Sequence, residues 1–117
     1  MRLGREEAEH IAVVDWFHYA YPELYWDFHH FANERKCSVQ YGQKLKRMGV
    51  KRGVSDFFLA IPNKKYAGLW IELKVGTGRL SSEQIAFISR KNKRGYLAMA
   101  AWGFEQTKTI IEDYLRD

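Results

Sequence analysis

Residues 53–74, Gly53-Val54-Ser55-Asp56-Phe57-Phe58-Leu59-Ala60-Ile61-Pro62-Asn63-Lys64-Lys65-Tyr66-Ala67-Gly68-Leu69-Trp70-Ile71-Glu72-Leu73-Lys74, read as two core strands joined by a polar turn. Three positions do not fit an apolar hairpin. Asp56 opens the first strand, and Glu72 and Lys74 interrupt Trp70, Ile71, Leu73 and Val75 in the second. A charge on a buried strand costs several kcal/mol unless it is paired, hydrated or bound to a metal. Side chains alternate faces along a strand, so Glu72 and Lys74 share one face while Ile71, Leu73 and Val75 take the other. A hairpin centred near Lys64 sets Asp56 opposite Glu72, with side chains roughly 5 Å apart. A one-residue slip would separate them.

Two carboxylates that close repel, and in a partly buried site one keeps its proton unless a cation lies between them. Magnesium suits such a pair, because it takes carboxylate oxygen and retains exchangeable waters. Lys74 reaches the same space and can hold a phosphate or help deprotonate an attacking water. An isolated E-x-K more often marks an exposed ion pair on an edge strand, with Asp56 a turn residue after glycine. The ordered set G-V-S-D, hairpin, I-E-L-K and G-x-L-S-x-E-Q favours the site.

The chain of 117 residues has the length of one domain, residues 1–117, and enough apolar residues (46%) for a core without disulfides. Its one cysteine, Cys37, excludes an internal disulfide and a cysteine-rich zinc motif, and fits a reducing compartment. The N-terminal stretch lacks the apolar run of a signal peptide, and no segment has the length of a membrane span, so a cytoplasmic location is expected. The net charge is +5, and seven basic residues with no acid lie between Arg35 and Ser55 (Arg35, Lys36, Lys44, Lys46, Arg47, Lys51, Arg52). A second group follows at Arg90, Lys91, Lys93 and Arg94. Such stretches suit a polyanion. Lys44, Lys46, Arg47, Lys51, Arg52 and Arg79 are the candidate phosphate contacts.

The pattern predicts a helix from near Arg5 to Tyr19, ended by Pro22, then an aromatic strand over Leu24 to Phe31. A polar, basic segment follows, with a short helix through Gln43 to Met48. Strands are expected over Asp56 to Ile61 and Leu69 to Val75. A helix through Gln84 to Lys93 is capped by Ser81 or Ser82, a strand runs over Tyr96 to Trp102, and a last helix over Glu105 to Tyr114 turns Ile110, Ile111, Tyr114 and Leu115 inward. That order gives a mixed α/β domain. The adjacent His29 and His30 point to opposite faces, make a poor ligand pair and read as structural, while the four tryptophans are expected mainly in the core and at a dimer interface.

Taken together, Gly53-Val54-Ser55-Asp56, Ile71-Glu72-Leu73-Lys74, Leu80-Ser81 and Gln84 resemble the stand-alone virus-type replication-repair nuclease (VRR-NUC) domain of the PD-(D/E)XK nuclease superfamily. The resemblance runs over nearly the whole chain. It implies an αβββαβ core with a mixed sheet, Mg²⁺ or Mn²⁺ as cofactor, hydrolysis of phosphodiester bonds in DNA, and a homodimer of phage or bacterial origin similar to Holliday-junction resolvases. It also implies Asp56, Glu72 and the Leu73 carbonyl as metal ligands, Lys74 as the catalytic lysine, and Gln84 as a contact to the phosphate or a water beside the ion. The family adds a glutamate from the first helix. Glu6, Glu7 and Glu9 compete for that place, and Glu7 is preferred; His10 stands where many relatives carry glutamine. Ser55 replaces the proline of the superfamily name at a position that shapes backbone.

The expected function is therefore a metal-dependent DNA endonuclease selective for branched or four-way-junction DNA, because a two-fold dimer matches a two-fold substrate. The alternative is a DNA-binding module of the same fold without catalysis. A sequence-specific restriction-type enzyme is less favoured, since so short a chain leaves little room for base readout.

Overall fold

In the computed structural model, which describes residues 4–32 and 38–117, the central hairpin has the register expected from its sequence. Strand β2 (Phe57–Leu59) runs antiparallel to β3 (Leu69–Lys74), with Phe57 opposite Ile71, Phe58 opposite Trp70 and Leu59 opposite Leu69. One more step of that ladder sets Asp56 across from Glu72. Strand β1 (Phe28–His30) pairs antiparallel with β2, and β4 (Leu97–Trp102) pairs parallel with β3, giving a four-stranded mixed sheet in the order β1-β2-β3-β4. Arg35, Lys36 and Cys37 lie outside the described residues.

The odd residues of β3 and the even ones separate two cores. Leu69, Ile71 and Leu73 are buried with Val13 and Phe17 of helix α1 (Arg5–Ala20) and Ile111 and Tyr114 of helix α4 (Gly103–Arg116). Trp70 turns to the other face, where it packs with Phe87 of helix α3 (Ser82–Lys93) and Ala98. Glu72 and Lys74 share that second face by alternation. The parallel β3-α3-β4 crossover requires a connection of this kind, and α3 supplies it.

The loop between β2 and β3 is held from two sides. Asn63 Oδ1 accepts hydrogen bonds from Lys65 N and Tyr66 N, an Asx-type turn, and its amide donates to the Tyr114 carbonyl at 3.1 Å. The Tyr114 hydroxyl donates to Ile61 O at 2.7 Å. Tyr114→Phe leaves that carbonyl without its donor and is expected to lower stability by about 1 kcal/mol, read by chemical denaturation; an unchanged midpoint would remove this clamp from the account.

Two expectations need correction. Residues 24–27, read as the start of an aromatic strand over Leu24 to Phe31, belong to a 3-10 helix, Pro22–Asp27, and the strand proper is only Phe28–His30. Pro22 at the first turn fixes φ in a helical value, and the aromatic alternation of this segment packs Leu24 and Tyr25 against the core without needing a ladder partner. The short basic helix begins earlier than expected: α2 spans Val39–Arg47 because Ser38 caps it, its Oγ accepting from Tyr41 N at 3.1 Å. The tryptophans divide as well. Trp70 is buried and Trp16 packs on the main core, whereas Trp102 is 41% and Trp26 84% exposed.

Candidate active site

The centre forms where β2 stops short of β3. Asp56 lies just before β2, 8% exposed, and instead of continuing the ladder its side chain takes a ladder role: Oδ2 accepts from Leu73 N at 2.7 Å. Glu72, 4% exposed, approaches it from β3. Burial, then the charge of Asp56 and hydrogen bonding with it, push the Glu72 carboxyl up to about 9, against a smaller opposing pull from Lys74. Without a cation Glu72 therefore carries a proton at neutral pH. Its Oε1 is buried and makes no hydrogen bond among the described residues. Lys74 Nζ stands 3.7 Å from Glu72 Oε2 on the same face.

Helix α3 presents the next member. Ser81 Oγ accepts from Gln84 N at 3.1 Å while Gln84 Oε1 accepts from Ser81 N at 2.8 Å, a reciprocal capping box. With Oε1 so engaged, Nε2 faces the sheet and donates to Glu72 Oε2 at 3.4 Å. The turn before Asp56 is tied to the same helix end. Gly53 has φ +83°, and a Cβ there would meet the backbone carbon and oxygen of Glu83 at 2.5 Å. Only glycine lets the G-V-S-D segment lie against the start of α3.

From the opposite side α1 brings residues at positions 6, 10, 13 and 17, the spacing of one helical stripe. Val13 and Phe17 are its buried part. His10 and Glu6 continue it toward the centre. His10 Nε2 is buried, has no hydrogen-bond partner among the described residues, and lies 3.8 Å from Asp56 Oδ2. Burial lowers its pKa, offset in part by Asp56 and by Glu6 and Glu7. Of the first-helix glutamates, the charge of Glu6 bears on Glu72 itself. Glu7, preferred from sequence, is exposed and lines a cleft with His10 and His30. His30, read as structural, bonds through Nδ1 to the Asp56 carbonyl at 3.0 Å, and His29 on the other side of β1 takes no part in that contact.

The sheet and two helices thus gather Asp56, Glu72, Lys74 and Gln84, with Leu73 held to Asp56 by its N–H. The approach of His10 to Asp56 is the feature that sequence reasoning did not give. The 6-10-13-17 spacing was available as a signal, but nothing in the sequence shows that the polar end of this stripe meets a residue forty-six positions later. Among the described residues no three His, Cys, Asp or Glu side chains converge closely enough to enclose a metal ion. The donors nevertheless suit a hard divalent cation, because a buried acid pair with one orphaned oxygen lacks only a positive charge.

The candidate phosphate contacts Lys44, Lys46, Arg47, Lys51, Arg52 and Arg79 are all solvent-exposed. Three of them form the basic last turn of α2, a helix with no buried residue. Lys91 differs from its basic neighbours. Its Nζ lies over the rings of Trp70, Phe87 and Tyr96 at 5.2–5.8 Å, so it packs on the second core.

A four-stranded mixed sheet with flanking helices, two buried acids at its centre and a half-buried lysine beside them fits the PD-(D/E)XK nuclease class. The VRR-NUC domain model matches residues 4–105. The chain belongs to the VRR-NUC family. A solved structure described as a VRR_NUC domain protein is similar at a TM-score of 0.85 and 28% identity, over 99% of this chain and 92% of that one. No curated protein matches it. Nucleases of this superfamily generally use divalent metals, and a nuclease domain implies DNA as the substrate. Among the described residues no helix is long and apolar enough to cross a membrane.

Proposed function

We propose that the protein is a Mg²⁺- or Mn²⁺-dependent endodeoxyribonuclease that cleaves branched DNA as a homodimer, in phage or bacterial replication and repair. The observation that carries this reading is the pairing of Asp56 with Glu72 in a buried site, with Lys74 Nζ 3.7 Å from Glu72. Asp56, Glu72 and the Leu73 carbonyl would hold the cation, and α1 would add a glutamate, Glu7 or Glu6. The ion, when bound, offsets the negative charge that develops on the phosphoryl oxygens. Lys74 sets its ammonium against the scissile phosphate and orients the attacking water. Gln84, fixed by its cap, keeps Glu72 in place and offers an N–H to the same space. Exposed Lys44, Lys46, Arg47, Lys51, Arg52 and Arg79 bind the backbone on either side without reading bases. A lone cysteine agrees with a cytoplasmic setting.

Incubation of supercoiled and four-way-junction DNA with Mg²⁺ or Mn²⁺ tests this. Wild type is expected to cut the junction in preference, and Lys74→Ala to cut about 100-fold more slowly while still shifting DNA on a gel. If wild type shifts every substrate and cuts none, the protein is a binding module. Equal cutting of linear and junction DNA would remove the structural selectivity.

A further inference from the structure

We infer that His10 supplies a nitrogen ligand to the cation held by Asp56 and Glu72, and so shifts the centre's preference from magnesium toward manganese and cobalt. This rests on the reading of those two acids as a metal site. The imidazole is built into its place. It stands edge-on to Phe57 and to His30, with ring centroids 5.3 and 5.0 Å away, which fixes its plane. Nε2 is buried and unpartnered among the described residues, a costly state for a polar atom in a helix that packs well below it. Its 3.8 Å separation from Asp56 Oδ2 is too long for a hydrogen bond. Two donors that each bind one ion at about 2.1 Å can stand that far apart across it.

His30 differs from His10 in that its Nδ1 is engaged with the Asp56 carbonyl at 3.0 Å, whereas His10 Nε2 is the buried ring nitrogen without a partner among the described residues. A cleft of about 360 Å³ lined by Glu7, His10, Ile11, Val14, Asp15 and His30 opens on the His10 side of the centre. The present separation leaves the set unclosed, and ion binding would draw His10 and Asp56 onto a common centre. Imidazole nitrogen binds first-row transition ions more readily than it binds magnesium, with affinity rising from manganese to cobalt, whereas magnesium takes carboxylate, carbonyl and water. One such nitrogen among oxygens is enough to tilt the choice without excluding magnesium.

Pulsed electron paramagnetic resonance of the full chain loaded with Mn²⁺, without DNA, reads the ligand directly. Imidazole ¹⁴N modulation is expected in wild type and in His30→Gln, and is expected to vanish in His10→Gln. By calorimetry, His10→Gln should weaken Mn²⁺ binding about tenfold or more and Mg²⁺ binding by less than about threefold. If His10→Gln fails to fold, the wild-type and His30→Gln spectra still decide. Bound Mn²⁺ without nitrogen modulation in wild type, modulation that survives in folded His10→Gln, or equal weakening of both metals overturns the inference and leaves the acid site standing. Failure of wild type to bind Mn²⁺ at all overturns both.

Discussion

Glu72→Gln is expected to abolish cleavage and, in the same protein, to raise thermal stability. Glu72 is buried beside Asp56, and its carboxyl is pushed up to about 9. The folded state therefore holds a proton that the unfolded chain releases at ordinary carboxyl pH, so between about pH 4.5 and 9 folding takes up a proton and stability falls as pH rises. The slope can reach about 1.4 kcal/mol per pH unit for one group. Glutamine removes the titration, so at pH 7 without metal the variant should melt about 5 °C or more above wild type, and its stability should be nearly flat over that window. Cleavage should fall about 1,000-fold, since a neutral amide cannot balance the cation. Divalent metal should reverse the ranking by stabilising wild type alone. Thermal melts at pH 5, 7 and 8.5, with and without Mg²⁺, test every part. A wild-type Tm that rises with pH in the absence of metal would contradict the assigned burial.

Gly53→Ala is expected to be the most damaging small substitution in the chain. A Cβ at φ +83° is strained wherever it points, and here it would stand 2.5 Å from the Glu83 carbonyl carbon and oxygen. Those are backbone atoms of α3, which cannot swing aside as a side chain would. The loss should be about 3 kcal/mol or more, with a Tm about 10 °C lower. Because the same contact sets α3 against the segment leading to Asp56, activity measured well below the new Tm should fall too. Gly49→Ala is the control, since its φ is also positive, +98°, but nothing lies within 4 Å of the added carbon. A Gly53→Ala protein no less stable than Gly49→Ala would show that the packing against Glu83 is not required.

Much of this centre could be read from one hairpin. Period-two alternation assigned Glu72 and Lys74 to a common face, and the turn around Asn63 and Lys64 set the register, because a strand pair with one buried face tolerates no slip. The glycine of G-V-S-D and the serine of L-S-S-E-Q carried local signals that the structure explains by a close approach and a capping box. Where the sequence misled, the cause was tertiary. Leu24, Tyr25 and Trp26 have strand-like composition, yet Pro22 and packing on α1 fold them into a 3-10 turn. His10 read as one helix residue among others, and its meaning depends on Asp56, brought near only when α1 packs over the sheet. Lys91 counted toward a basic cluster until three aromatic rings were found beneath its ammonium.

Strand β2 has three residues and β3 has six. That unequal length leaves the end of β3 bonded to β4 on one side only, so the backbone of Glu72, Leu73 and Lys74 has a vacant flank where a sheet would ordinarily continue. Asp56 fills part of the gap by accepting the Leu73 N–H, a hydrogen bond that another strand's carbonyl would otherwise make. Shortening one strand thus makes room for buried acids in the middle of a sheet, with no added loop and with a packed core kept on each face.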